Sequence, residues 1–201
     1  LVRNDEFVEF LAKYRLPQTS RFALWLTRAI VRRKLRAQLA GVRDVDGFQN
    51  VMSHYVRRIV QDTMRYLRYE GTETLPVDEA SLFVGNHRDI AADSMCLNYA
   101  LYYSGHKTVR IAVGDNLIQK SFATDLMRLN KSFFVRRNVE GTRKQYAALL
   151  ESSAYIHASL AEGESIWIAQ SEGRAKDGRD LTDPAVIKML ENLGVERDNI
   201  F

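Results

Sequence analysis

In Val84-Gly85-Asn86-His87-Arg88-Asp89 an imidazole directly follows a short apolar run, Ser81-Leu82-Phe83-Val84-Gly85, with carboxylates close by at Asp89 and Asp93. A histidine held by a carboxylate is a general base suited to neutral pH, because the carboxylate fixes its tautomer and stabilises the imidazolium that forms. The same residues also suit a plainer role, a histidine bonded in a strand-to-helix turn with Asp89 capping the helix. Three further polar stretches each follow an apolar run: Gly114-Asp115-Asn116, Arg136-Arg137 and Gln170-Ser171-Glu172-Gly173-Arg174. Set beside them, His87 reads as part of a site. Cys96 lies inside an apolar helical run and reads as core rather than nucleophile. His54, His106 and His157 read as structural or surface residues. One cysteine and four scattered histidines exclude an intrachain disulfide framework and a local zinc site.

His87-Arg88-Asp89-Ile90-Ala91-Ala92 imitates the catalytic loop of protein kinases, but position 94 is Ser where a kinase needs Asn for its second Mg²⁺. Asp115 is followed by Asn116-Leu117, not Phe-Gly, and no Gly-rich loop precedes it. The kinase reading fails. Four segments in order give a better match. Val84-Gly85-Asn86-His87 with Asp93 resembles the Asn-His-x4-Asp block of the glycerol-3-phosphate and 1-acylglycerol-3-phosphate acyltransferase superfamily. Tyr69-Glu70-Gly71-Thr72-Glu73-Thr74-Leu75-Pro76 is similar to its approach to the first strand. Gly114-Asp115-Asn116-Leu117 with Lys131-Ser132-Phe133-Phe134-Val135-Arg136-Arg137 is similar to its second block, and Glu172-Gly173-Arg174 to its third. Five residues separate His87 from Asp93 where the family has four, and the family's fourth block is not evident.

The resemblance implies transfer of an acyl group from acyl-CoA or acyl-carrier protein to the hydroxyl of glycerol 3-phosphate or 1-acylglycerol 3-phosphate, in phospholipid biosynthesis. It implies His87 as general base, oriented by Asp93, or by Asp89 if the loop does not bulge. Arg137 and Arg174 would be the leading phosphate ligands, with Arg136 and Lys131 secondary, since guanidinium forks hold phosphate by paired charge-assisted bonds. Glu172 would position the acceptor, Gly173 would allow a close turn, and Asp115 and Asn116 belong to the substrate-positioning set. No cofactor beyond the donor and no metal is expected. An alternative is a catalytically impaired module of the same fold that binds lipid phosphate or membrane. A nucleic-acid-binding α/β protein is a weaker one, since it leaves His87, Glu172 and Arg174 without work; no nucleic-acid partner is expected.

The elements that must position these residues alternate. Strands are expected at 81–85, 108–113, 132–135 and 165–169, with helices over 92–103, 121–129 and 142–160, and a short strand entering a turn over 69–76. This pattern predicts an α/β fold with a mostly parallel sheet flanked by helices. A helical region over 1–68 precedes an α/β domain over 69–201. The chain has 201 residues and a net charge of +4, yet no Asp or Glu occurs from Phe10 to Arg43. There Trp25, Leu26 and Ile30 interleave with Arg28, Arg32, Arg33 and Arg36, a pattern for a helix over about 20–40 lying on an anionic lipid surface or for one packed on the domain with solvated arginines. No apolar run is long enough to span a bilayer. The sequence therefore predicts a cytoplasmic protein, peripheral on the inner face of a membrane. The missing initial Met and fourth block read as a chain shortened from a longer one.

Overall fold

The computed structural model describes residues 1–15, 21–118, 120–136, 139–171 and 173–191. The chain divides into two compact units, one of Leu1–His54 with Ile118–Asn130 and one of Tyr55–Leu117 with Lys131–Phe201. The segment 118–130 groups with the N-terminal helices, and the end of α3 (Val45–Thr63) with the sheet.

In the first unit α1 (Asp5–Arg15) is followed by α2 (Arg21–Leu39), which covers the basic helix expected over about 20–40. α1 buries Phe7, Val8 and Ala12, and the rings of Phe7 and Phe10 lie 5.5 and 6.0 Å from Phe122 of α5 (Ser121–Leu129). Glu9 of α1 pairs with Arg28 at 3.2 Å, and Asp5 pairs with Arg32. Two of the α2 arginines are thus engaged by α1. Trp25, Leu26 and Ile30 remain about half exposed, and Arg33, Lys34 and Arg36 are exposed.

The second unit holds a four-stranded, wholly parallel sheet of β1 (Leu82–Gly85), β2 (Arg110–Gly114), β3 (Ser132–Val135) and β4 (Ile166–Ala169), in the order β1-β4-β2-β3. The strands are apolar on both faces because both faces are covered, as parallel sheets require. Alternation sorts the side chains. Leu82, Val84, Ala112, Phe133, Ile166 and Ile168 pack with Ile156 of α6 (Thr142–Ala161) and Met189 of α7 (Pro184–Glu191). Phe83, Ile111, Val113 and Trp167 pack with Leu97 and Leu101 of α4 (Ala92–Tyr103). Leu82, Ile156 and Ile166 are fully buried, each contributing about 1.5–3 kcal/mol of apolar burial.

Three local expectations differ from the structure. The segment 69–76 is not a strand but a 3-10 turn over Thr72–Thr74, entered by Gly71 at φ 85° and closed by Thr74 Oγ1 donating to the Gly71 carbonyl at 2.8 Å. The helical region expected over 1–68 stops at Thr63, where α3 ends. α7 was not anticipated. Its start is signalled by Asp183, whose Oδ1 accepts from the Ala185 N–H at 2.8 Å, followed by Pro184 at the first helical position.

Candidate active site

β1 ends at Gly85, and the chain turns through Asn86, His87 and Arg88 before α4 begins at Ala92. Asp93, in the first turn of α4, places its Oδ2 2.8 Å from His87 Nδ1. The same oxygen accepts the backbone N–H of Arg88 at 2.8 Å and of Asp89 at 3.0 Å. One carboxylate therefore orients the ring and closes the turn that carries it. Asp89 does not touch the ring through any such bond; its Oδ1 accepts the N–H groups of Ala91 and Ala92 at 2.9 and 2.8 Å. This side-chain turn takes up the extra residue between His87 and Asp93, so the wider gap leaves the bonded pair intact. The N–H groups of Ala92 and Ala91 hold the Asp89 carboxyl below the usual carboxylate range, and the charges of Arg174 and His87 act in the same direction.

The wall behind the ring is Trp167 of β4, 7% exposed, its ring edge-on to His87 at 5.9 Å between centroids. Gly85 is required beside it, because a Cβ there would stand 3.0 Å from Trp167 Nε1. Neither His87 nor Asp93 is sealed off: their side chains are 16% and 21% exposed, open enough for a substrate hydroxyl to approach.

The loop after β4 is laid across the histidine turn. The Gln170 N–H donates to the Gly85 carbonyl at 2.9 Å and the Ala175 N–H to the His87 carbonyl at 2.7 Å. Gly173 turns this loop at φ 78°, a conformation that a side chain would strain. Arg174 is exposed on the loop, with its charge acting on Asp89. Further along, Asp180 accepts from the Asn86 side chain and from Arg88 Nη2 at 3.1 Å. Asn86, Arg88 and Asp180 thus join the site although sequence reasoning did not single them out. The first two flank His87 and were accessible to it; Asp180 bonds residues more than ninety positions away and carries no local signal.

The other expected residues are distributed differently. Lys131 precedes β3, at the amino ends of the parallel strands and so at the end opposite His87, and its 9%-exposed side chain pairs with Glu164 at 3.4 Å. Arg136 follows β3 at the far edge of the sheet from β1 and pairs on the surface with Glu151 of α6 at 3.5 Å. Asp115 and Asn116 form the 3-10 turn that leaves the carboxyl end of β2. Arg137 and Glu172 lie outside the described residues. Cys96 is partly buried in α4, and burial, with Asp93 and Asp89 after it, pushes its thiol up. No group of His, Cys, Asp and Glu among the described residues is placed to hold a metal ion.

A protein-family model described as Acyltransferase matches residues 66–188. The glycerol-3-phosphate acyltransferase of Shewanella sp. strain ANA-3 is 32% identical over 142 residues, covering 68% of this chain and 16% of that protein. That of Shewanella putrefaciens strain CN-32 is 33% identical over 140 residues, 67% of this chain and 16% of the other. The chain therefore spans only about a sixth of the length of these relatives. The crystal structure of the 1-acyl-sn-glycerophosphate acyltransferase of Thermotoga maritima aligns with 77% of this chain and 59% of that one, at 16% identity and a TM-score of 0.49. With the family model covering more than half of its residues, sheet and histidine turn included, this chain belongs to the Acyltransferase family.

Proposed function

We propose that the domain moves a fatty acyl group from a thioester donor to the hydroxyl of glycerol 3-phosphate or its 1-acyl ester. The observation that carries this reading is the Asp93 oxygen that holds the His87 ring while taking two backbone N–H groups. An oxygen that accepts from three donors obliges Nδ1 to carry its hydrogen, which leaves the lone pair on Nε2. Nε2 then takes the acceptor's hydroxyl proton as the oxygen attacks the thioester carbonyl. The tetrahedral intermediate collapses, the C–S bond breaks, and the imidazolium returns its proton to the leaving thiolate. The thioester is already activated, so no acyl-enzyme is required, and the reading asks for no cofactor beyond the donor. Arg174, whose charge reaches the turn beside His87, and Arg88 supply cations for the acceptor phosphate. Arg137 and Glu172 keep the phosphate-binding and positioning roles that the family resemblance gives them.

The products are lipids, and the same reading puts the protein on the inner face of a membrane. No helix among the described residues is long and apolar enough to cross one. Trp25, Leu26 and Ile30, with Arg33, Lys34 and Arg36, supply an interfacial face on α2. The test is transfer of labelled acyl groups from acyl-CoA to glycerol 3-phosphate and to 1-acylglycerol 3-phosphate, comparing the parent chain with His87→Ala. Loss of about 10²–10⁴ in rate is expected for a missing general base. Equal rates in the two proteins would end the reading. Flotation with anionic vesicles at low and high salt tests the membrane face, and failure to float at either would remove it.

A further inference from the structure

α4 carries a second feature at the end away from His87. Tyr99 and Tyr103, one helical turn apart, bring their rings to 4.5 Å. Tyr69 meets Tyr99 edge-on at 6.5 Å, and the Arg57 guanidinium sits over the Tyr103 ring at 5.7 Å. Tyr69 and Tyr103 are 41% and 39% exposed, so the ring cluster faces solvent rather than filling a core. The segment that carries Tyr69 has no partner in the sheet. It is nonetheless tied to the end of α4, with Ser104 Oγ donating to Thr72 Oγ1 at 3.0 Å and His106 Nε2 bonded to the Thr72 carbonyl at 2.9 Å. The stretch leading into the cluster, residues 55–68, holds Arg57, Arg58, Arg65 and Arg68 against the single acid Asp62. All four arginines are exposed. Arg68 is paired with Glu70.

Part-exposed aromatic rings beside arginines suit a purine base that carries phosphates: the base stacks on a ring, and the guanidinium groups meet the charge. The spacing along the helix adds a second constraint. Ten residues from Asp93 to Tyr103 at 1.5 Å rise put the cluster about 15 Å from the His87 turn. Helical periodicity sets Ala92, Cys96, Tyr99 and Tyr103 along one flank of α4, small side chains near the histidine and aromatic ones at the far end. A thioester held at His87 by an extended pantetheine arm would run down this flank and deliver its nucleotide to the rings.

We infer that the Tyr69, Tyr99, Tyr103 and Arg57 cluster binds the phosphorylated adenosine end of a coenzyme A thioester, which makes acyl-CoA the donor. This rests on the acyl-transfer reading and goes beyond it by assigning the donor and its site. The test measures equilibrium binding of CoA, 3′-dephospho-CoA and pantetheine to the parent chain and to Arg57→Glu, Tyr103→Ala, Tyr103→Phe and His87→Ala, with thermal melts to verify folding. CoA should bind more tightly than 3′-dephospho-CoA, and pantetheine most weakly. Arg57→Glu and Tyr103→Ala should each weaken CoA at least about ten-fold; Tyr103→Phe, which keeps the ring, and His87→Ala should not. Equal binding of CoA and pantetheine, or CoA affinity unchanged in folded Arg57→Glu and Tyr103→Ala, overturns the inference. So does transfer from acyl-carrier protein alone with a raised KM in Arg57→Glu, which would make the patch a protein-docking surface. His87→Ala separates the two readings: if it abolishes transfer while the cluster variants bind CoA normally, the chemistry stands and the donor site falls.

Discussion

Replacing Asp93 with asparagine keeps the shape of the side chain and removes its charge. The asparagine carbonyl can take the place of Oδ2, accepting the N–H groups of Arg88 and Asp89 and the Nδ1 hydrogen of His87. The turn and the tautomer then survive, and what is lost is the anion facing the imidazolium that forms during proton transfer. A hydrogen bond to a charged group contributes about 1.5–3 kcal/mol, and each ~1.4 kcal/mol is ten-fold in rate, so kcat should fall about 10- to 150-fold. Because Asp93 is 21% exposed, water screens part of this charge, and the lower half of the range is expected. Asp89→Asn is the control. Its side-chain oxygen still accepts from Ala91 and Ala92, and a surface change within about 0.5 kcal/mol holds the rate within about two-fold. The assay is steady-state release of thiol from the acyl donor at saturating acceptor, with unfolding midpoints for each variant. A folded Asp93→Asn within two-fold of the parent chain, or an Asp89→Asn more damaged than Asp93→Asn, would refute Asp93 as the carboxylate that supports His87 in proton transfer.

Gly85→Ala drives a methyl to 3.0 Å from Trp167 Nε1, a buried ring with little room to yield; the cost should be about 1–3 kcal/mol, seen as a lower unfolding midpoint. Lys131→Ala should lower stability by removing one of the two cations paired with Glu164, the other being Arg110 at 3.8 Å, while leaving the KM for the glycerophosphate unchanged; a raised KM would return Lys131 to the phosphate site. Cys96→Ala should retain acyl transfer, and the thiol of the parent chain should alkylate more slowly at pH 8 than a free cysteine, because burial and the two aspartates hold it protonated. Folding raises this pKa, so its contribution to stability is present below the ordinary thiol value and is lost as pH rises from there through the raised value, and Cys96→Ser should flatten that alkaline limb of a stability-against-pH curve.

The elements were legible because their patterns are local. Helices over 92–103 and 121–129 and the strand over 132–135 emerge with the expected bounds, since apolar runs and periodicity decide them before any long-range contact forms. The segment 69–76 was misread because Thr72, Thr74 and Leu75 look like a strand when the left-handed backbone of Gly71 is out of view. What spacing along the chain does not contain is strand order. The sequence presents the blocks as β1, β2, β3, β4, and a phosphate site drawn from the second block makes Lys131 and Arg136 neighbours of His87. The folded order β1-β4-β2-β3 instead sets the last strand beside the first. Parallel pairing of Gly85 with Ala169 then carries the Gln170–Asp180 loop onto the histidine turn, through the bonds of Gln170, Ala175 and Asp180. β3 stands two strands further out, and four residues of strand, about 13 Å, separate its two ends. Lys131 falls at the other end of that strand and Arg136 at the far edge, while Arg88 and Arg174, among the described residues, stand on the loops that follow β1 and β4. A sheet built in chain order would have required a different set.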